Sequence, residues 1–249
     1  MTSDARVVDV SRDWAIACGV QQRFMRGESP ALDTLDYSAR CRQLLELGGD
    51  CYDFVPLAGR RLALTIADAS GKGLPAALMI SNVQSSLRTA ALFTGSDVAA
   101  TVGAVNRQVY ASSFADRYAT LFHGVFDETT RTLRYVNAGH NPPIVARRDG
   151  SIDWLEPGGA PIGMFPDWAY QANDVHLDPG DLLLAYTDGV TEVVDPAGNE
   201  WGIENLQKAA ARTSTERTAE IVRAIFDSMD EFSRGCQTDD ATVVALRVI

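Results

Sequence analysis

The stretch Arg61-Leu62-Ala63-Leu64-Thr65-Ile66-Ala67-Asp68-Ala69-Ser70-Gly71-Lys72-Gly73-Leu74-Pro75 changes character twice within a few residues. From Arg61 to Ala67 it alternates as a buried strand does, and it ends on Asp68. Gly71-Lys72-Gly73 then makes a tight turn, and Pro75 suits the first turn of a helix, where a missing N–H costs nothing. That helix runs through Leu78, Met79, Val83, Leu87 and Ala91, apolar enough to lie against a sheet. A strand that ends on an acid and turns straight into such a helix puts a carboxylate at a sheet rim.

The neighbouring sequence extends this pattern. Leu35 to Arg42 and Tyr52 to Pro56 read as strands upstream. Downstream, a helix over about Val98 to Tyr110 precedes strand-like runs at Ala119 to Phe126, Thr132 to Asn137 and Ile144 to Arg147. Turn signals at Asp127–Arg131 and Arg148–Ser151 separate them. Leu182 to Tyr186 is a short apolar run with Asp188 just past its end. Helical stretches follow at Ile203–Ala211 and Ala219–Phe232, and a last strand, Ala241 to Val248, opens at Asp239-Asp240. Helices paired between antiparallel runs predict an α+β fold of sheets flanked by helices, not a doubly wound parallel sheet. Ahead of all this, Ser11 to Met25 reads as a helix with Trp14, Ile16, Ala17, Val20 and Phe24 apolar, ended by Gly27-Glu28-Ser29-Pro30. Residues 1–30 are thus expected to be a helical extension, a regulatory or dimer segment, before a main domain over 31–249.

With 249 residues, 46% of them hydrophobic, the chain can bury the core of one large domain. Its 22 basic and 33 acidic residues give a net charge of -11, which disfavours nucleic acid and anionic membranes as partners. Cys18, Cys41, Cys51 and Cys236 form no C-x-x-C pair, so neither a zinc site nor a disulfide framework is indicated, and a reducing cytoplasm is expected. No apolar stretch reaches the length of a membrane span, and Met1 to Asp13 has no signal-like core.

Four segments carry the chemistry: Gly48-Gly49-Asp50 with Asp53, Asp68 within the quoted stretch, Thr187-Asp188-Gly189, and Asp239-Asp240. Any one of them alone is an ordinary cap or Asx turn. Together they crowd acids at strand ends, where repulsion and desolvation are unfavourable unless hard cations share the site. Oxygen donors with no His and no paired thiolates among them point to Mg²⁺ or Mn²⁺. Two such ions sharing a carboxylate would sit about 3.5–4 Å apart and activate a bridging water for attack at phosphorus. Gly71-Lys72-Gly73 lacks the Ser or Thr of a nucleotide-binding loop. His140, in Asn137-Ala138-Gly139-His140-Asn141-Pro142-Pro143, is expected to brace a hairpin. Gly48-Gly49-Asp50 also occurs in diguanylate cyclases, a weaker enzymatic alternative because it leaves the later acids unexplained.

In the order GGD-x-YDF, AD-x-SGKG-x-PAAL, NAGHNPP, TDGVTE, DDATVV, the sequence from about Leu35 to Ile249 resembles the PPM-type metal-dependent serine/threonine protein phosphatases, in their SpoIIE-like, sigma-regulator branch. The resemblance implies a four-layer α-β-β-α sandwich with a dinuclear Mn²⁺ or Mg²⁺ site at the rim of two antiparallel sheets. It implies ligand roles for Asp50, Asp68 (bridging), the Ala69 carbonyl, Asp188 and Asp239. Asp240 is implied to hold the loop or a water, and Asp53 either supports Asp50 or serves a turn. The implied substrate is a phosphorylated anti-sigma factor antagonist or a similar regulatory domain. Control is implied to run through the helix before the catalytic domain, by an upstream partner or a homodimer contact. Cys51 stands where similar members often carry an aromatic residue, and Arg42 to Leu47 is atypical before the glycine pair. Ser70 follows Ala69 where conventional eukaryotic members place a His, so general-acid help from that position is not expected. A catalytically silent phosphoprotein-binding module is the alternative from another class.

Overall fold

A computed structural model of the chain describes residues 10–25, 32–113, 116–212 and 216–249. In chain order the elements are α1 (Val10–Phe24), β1 (Leu35–Arg42), β2 (Asp50–Leu57), β3 (Arg61–Ala69), α2 (Leu74–Thr94), α3 (Val98–Ser112), β4 (Ala119–Asp127), β5 (Thr132–Ala138) and β6 (Ile144–Ala146). They continue with β7 (Ile152–Trp154), β8 (Asn173–His176), β9 (Leu182–Tyr186), α4 (Asp188–Thr191), α5 (Gly202–Arg212), α6 (Thr218–Ser233) and β10 (Ala241–Val248). The Gly27–Pro30 break lies outside the described residues.

The strands form two five-stranded sheets, ordered β1-β10-β9-β6-β7 and β2-β3-β4-β5-β8, with antiparallel neighbours throughout. The two-residue period of β3 explains how they stack. Leu62, Leu64 and Ile66 point into the core between the sheets, with Phe54, Phe122, Phe126, Leu183, Val244 and Leu246. Ala63, Ala67 and Ala69 point the other way, under Ile80, Val83 and Leu87 of α2 and Val102 and Val105 of α3. On the outside of the other sheet, Ile221, Val222, Ile225, Phe226 and Met229 of α6 recur at helical spacing and pack with α5 residue Leu206. The result is the α-β-β-α sandwich.

Two strands escape the sequence reading. β7 and β8 are edge strands of three and four residues, and most of their side chains are intermediate or exposed, so they carry no apolar alternation. The reading also starts β2 at Tyr52 and ends β3 on Asp68, whereas β2 begins at Asp50, β3 runs to Ala69, and the two acids are register partners in the ladder. Both acids therefore sit inside paired strands rather than beyond them. Among the described residues no helix is long and apolar enough to cross a membrane.

Packing between the sheets makes a direct prediction. Phe122 is fully buried there, whereas Phe93, on α2, is 87% exposed. Phe122→Ala should lower unfolding free energy by about 3–5 kcal/mol in denaturant titration, and Phe93→Ala should stay within about 0.5 kcal/mol of the unaltered chain.

Candidate active site

The first carboxylates are set by register. Asp50 and Asp68 are opposite each other on β2 and β3, and period two puts both on the face that looks toward the other sheet. That sheet answers with two hydroxyls. Thr187, which follows β9, donates from Oγ1 to Asp50 Oδ2 at 2.8 Å, and Thr242 of β10 donates to the same oxygen at 2.7 Å. The threonines also bind one another, Thr242 N to Thr187 Oγ1 at 2.9 Å and Thr187 N to Thr242 O at 3.1 Å. One oxygen of a buried acid thereby joins the two sheets at their rim.

Asp240 fixes the approach to Asp50. Its Oδ1 accepts from Leu44 N and its Oδ2 from Gly49 N, both at 2.6 Å, so the loop ahead of β2 is wrapped on one carboxylate. A Cβ at Gly48 would stand 2.6 Å from Asp240 Oδ2, which leaves glycine the residue that fits. Gly189 is tighter still, because a Cβ there would lie 1.9 Å from the Asp240 carbonyl oxygen. This backbone-to-backbone approach carries Asp188, at the start of α4, up to Asp239. Asp239 Oδ2 is 2.6 Å from Lys72 Nζ, which also donates to Thr238 O at 3.0 Å. Ala69 N donates to Gly49 O at 3.0 Å, tying the end of β3 to the same loop.

Asp53 lies elsewhere. Three residues on from Asp50, it points to the helix side of β2, where Arg88 of α2 holds it with Nε to Oδ2 at 2.8 Å and Nη2 to Oδ1 at 2.5 Å. It braces α2, where the sequence left open support of Asp50 or a turn role; Arg88 is its partner instead. His140 is buried, with Nδ1 2.8 Å from Thr120 Oγ1 and its backbone N–H on Asn137 Oδ1 at 2.9 Å. Burial pushes its pKa down to about 4, so it is neutral near pH 7 and works as a brace beneath Asp68, the register partner of Thr120. Thr187 and Thr242 are the residues the sequence reading passed over. Each sits inside a quoted motif, but a hydroxyl beside an acid gives no signal of which distant acid it binds.

The acids act on one another. Burial, then the charges of Asp50, Asp188, Asp239 and Asp240, pushes Asp68 up to about 9. Burial also pushes Asp50 up to about 7, offset by the two threonine hydroxyls and reinforced by Asp240 and Asp188. Asp188 is raised by burial and then by Asp239. Among the described residues no three Asp, Glu, His or Cys side chains stand close enough together to hold a metal ion as they are. The donor set nonetheless fits a hard divalent cation. It offers oxygen donors, partly withdrawn from water and mutually repelling, and among the described residues Lys72 is the one cation that pairs with a proposed ligand.

The same repulsion sets a pH dependence for the metal-free protein. Carboxylates of the unfolded chain titrate near pH 4. Between about pH 4 and the raised values of about 7 and about 9, the folded state keeps protons that the unfolded chain has released. Stability contributed by this cluster is full below that window and is lost as pH rises through it. In a chelator, the melting temperature should fall between about pH 5 and pH 9, and Asp68→Asn should flatten that fall and raise the value at about pH 8. An unchanged slope in the variant would contradict the coupling.

Residues 58–249 match the family model described as Stage II sporulation protein E (SpoIIE). The phosphoserine phosphatase RsbU of Bacillus subtilis (strain 168) is 29% identical over 242 residues, covering 96% of this chain and 71% of RsbU. The structure of the RsbU and RsbW domains of a Mycobacterium tuberculosis protein aligns with a TM-score of 0.74 at 26% identity, over 88% of this chain and 61% of that one. The SiaA-PP2C domain of Pseudomonas aeruginosa aligns with a TM-score of 0.84 at 21% identity, over 96% and 97% of the two chains, and shares the fold. Family match, sandwich and acidic rim agree: the chain belongs to the SpoIIE family of PP2C-fold phosphatases.

Proposed function

We propose that this phosphatase removes phosphate from phosphoserine or phosphothreonine of a small regulatory protein, a phosphorylated anti-sigma factor antagonist or a similar domain, using two Mn²⁺ or Mg²⁺ ions. The observation that carries the reading is the placement of Asp68, half-buried and opposite Asp50 on the β2–β3 ladder, at the rim where the close approach of Gly189 to the Asp240 backbone brings Asp188 and Asp239. An acid in that position is relieved most by divalent charge. Asp50, Asp68, Asp188, Asp239 and the Ala69 carbonyl would hold the ions, with Asp68 as the shared carboxylate. When bound, such ions would activate a water for attack at phosphorus and offset charge on the phosphoryl oxygens. The chain's part is to hold donors still: Thr187 and Thr242 fix Asp50, and Asp240 fixes the loop that carries it. Ser70 Oγ accepts from Tyr118 N–H at 3.1 Å and Ser70 N donates to the Tyr118 carbonyl at 2.8 Å; a hydroxyl is too weak an acid to replace a histidine there, so the leaving serine alkoxide would take its proton from water.

The assignment of residues 1–30 as an extension that regulates or dimerises a domain over 31–249 is part of the same proposal. Gln21 of α1 is buried and grips the backbone just ahead of Asp50, donating to Gly48 O at 2.8 Å and accepting from Gly48 N at 3.2 Å. Ile16, Val20 and Phe24 of α1 are exposed, a face that a second copy or an upstream partner could cover. All four cysteines are free, which fits a reducing cytoplasm. Binding of nucleic acid or of a membrane is set aside on the net charge of -11. The cyclase alternative falls with the family match. A silent phosphoprotein-binding module would have no need of the full acid set.

The test is metal-dependent hydrolysis of p-nitrophenyl phosphate and of a phosphoserine peptide. Mn²⁺ or Mg²⁺ should be required, and Asp68→Asn or Asp188→Asn should lower kcat/KM about a hundredfold or more, since metal-derived charge stabilisation is worth several kcal/mol. Turnover that is metal-independent, or equal in all three proteins, would sink the proposal.

A further inference from the structure

Beyond the acidic rim the surface continues into an apolar groove that the proposed chemistry does not use. Leu74, Pro75, Leu78 and Met79 line one side of it, along the opening turns of α2, and Ser112 and Ser113 line the other, at the end of α3. The cavity is about 500 Å³, within the range of sites that bury small ligands. Leu78 is 65% exposed and Leu74 43% exposed, although the opposite face of the same helix is buried against the sheet. Exposed leucines set side by side in a concavity, unlike scattered ones, mark a contact surface.

Both ends of the groove are held. At the far end Asn82 Nδ2 donates to Ser112 Oγ at 3.0 Å, joining α2 to α3. At the near end Arg117 Nη1 donates to the Ser70 carbonyl at 3.0 Å, so its guanidinium lies against the turn that follows Asp68. Lys72, two residues before Leu74, lies on the same approach with its charge engaged by Asp239. Among the described residues, none that lines the groove is acidic, in a chain whose net charge is -11. A partner that brings a phosphate to the rim meets the Arg117 guanidinium, bonded there to a neutral carbonyl, with an apolar slot immediately beside it.

We infer that the groove receives an apolar side chain that flanks the phosphoserine in the substrate protein, so that Leu74 and Leu78 help select which phosphoprotein is dephosphorylated. This rests on the phosphatase reading above and adds to it the chemistry of the recognised segment: a phosphorylated serine with a leucine-like residue within a few positions. Covering such a side chain is worth about tenfold in kcat/KM, ~1.4 kcal/mol.

A peptide series tests this. A phosphoserine flanked by alanines is compared with peptides that carry one leucine at each of the positions up to five residues away on either side. At least one leucine position should raise kcat/KM about tenfold over the leucine-free peptide. That ratio should fall to about one in Leu78→Asp and persist in Leu78→Met; the site is exposed, so both variants are expected to fold. Absence of any preferred position, or a preference that survives Leu78→Asp, overturns the inference. Fluorescence-anisotropy binding of the same peptides separates this from the phosphatase reading. If no peptide is hydrolysed but the leucine peptides still bind more tightly in a Leu78-dependent way, the catalytic proposal fails and the groove stands.

Discussion

Like-charge repulsion among acids withdrawn from water is the constraint around which this structure is arranged. Asp50 and Asp68 face each other across one ladder, and Asp188 and Asp239 are pressed together by the contact of Gly189 with the Asp240 backbone. Left to themselves these groups would separate or take up protons. They are kept close by hydrogen bonds that do not depend on a cation. Two threonine hydroxyls hold one oxygen of Asp50, and two backbone N–H groups hold the two oxygens of Asp240. The sandwich core fixes the sheets that supply these groups, so the charge cluster inherits its rigidity from apolar packing many residues away.

That arrangement also explains why the loop before β2 is so heavily tied. Gly48 is bound by Gln21 from α1, and Gly49 by Asp240 from the end of the chain. A further strand of the same web runs through Gln84 of α2, whose Nε2 reaches the Phe24 carbonyl at 3.0 Å and the Tyr52 carbonyl at 3.1 Å. The N-terminal helix, α2 and β2 therefore share hydrogen bonds within a few residues of Asp50.

Much of the fold was legible from local pattern. β1, β9 and β10 stand at the limits that apolar runs and turn residues suggested, and α2 begins where Gly73 and Pro75 said it would. The short edge strands β7 and β8 were not legible, because an edge strand of exposed residues carries no period. At the site the difficulty was range. Thr187 lies 137 residues from Asp50, and Thr242 lies 192 away, so their bonds exist only once β9 and β10 pair beside β2. Asp53 illustrates the complementary difficulty. Counting by two from Asp50 puts it on the opposite face, but that count becomes available only when Asp50 is known to lie inside the strand.

The central claim is that these separated acids form one dinuclear metal site with Asp68 between the ions. Anomalous diffraction from crystals soaked in Mn²⁺ tests it most directly. The account predicts two peaks about 3.5–4 Å apart, both within about 2.0–2.6 Å of Asp68 oxygens, with Asp50, Asp188 and Asp239 completing the coordination. A protein that binds no ordered ion at this rim, or ions that leave Asp68 uncoordinated, would contradict it.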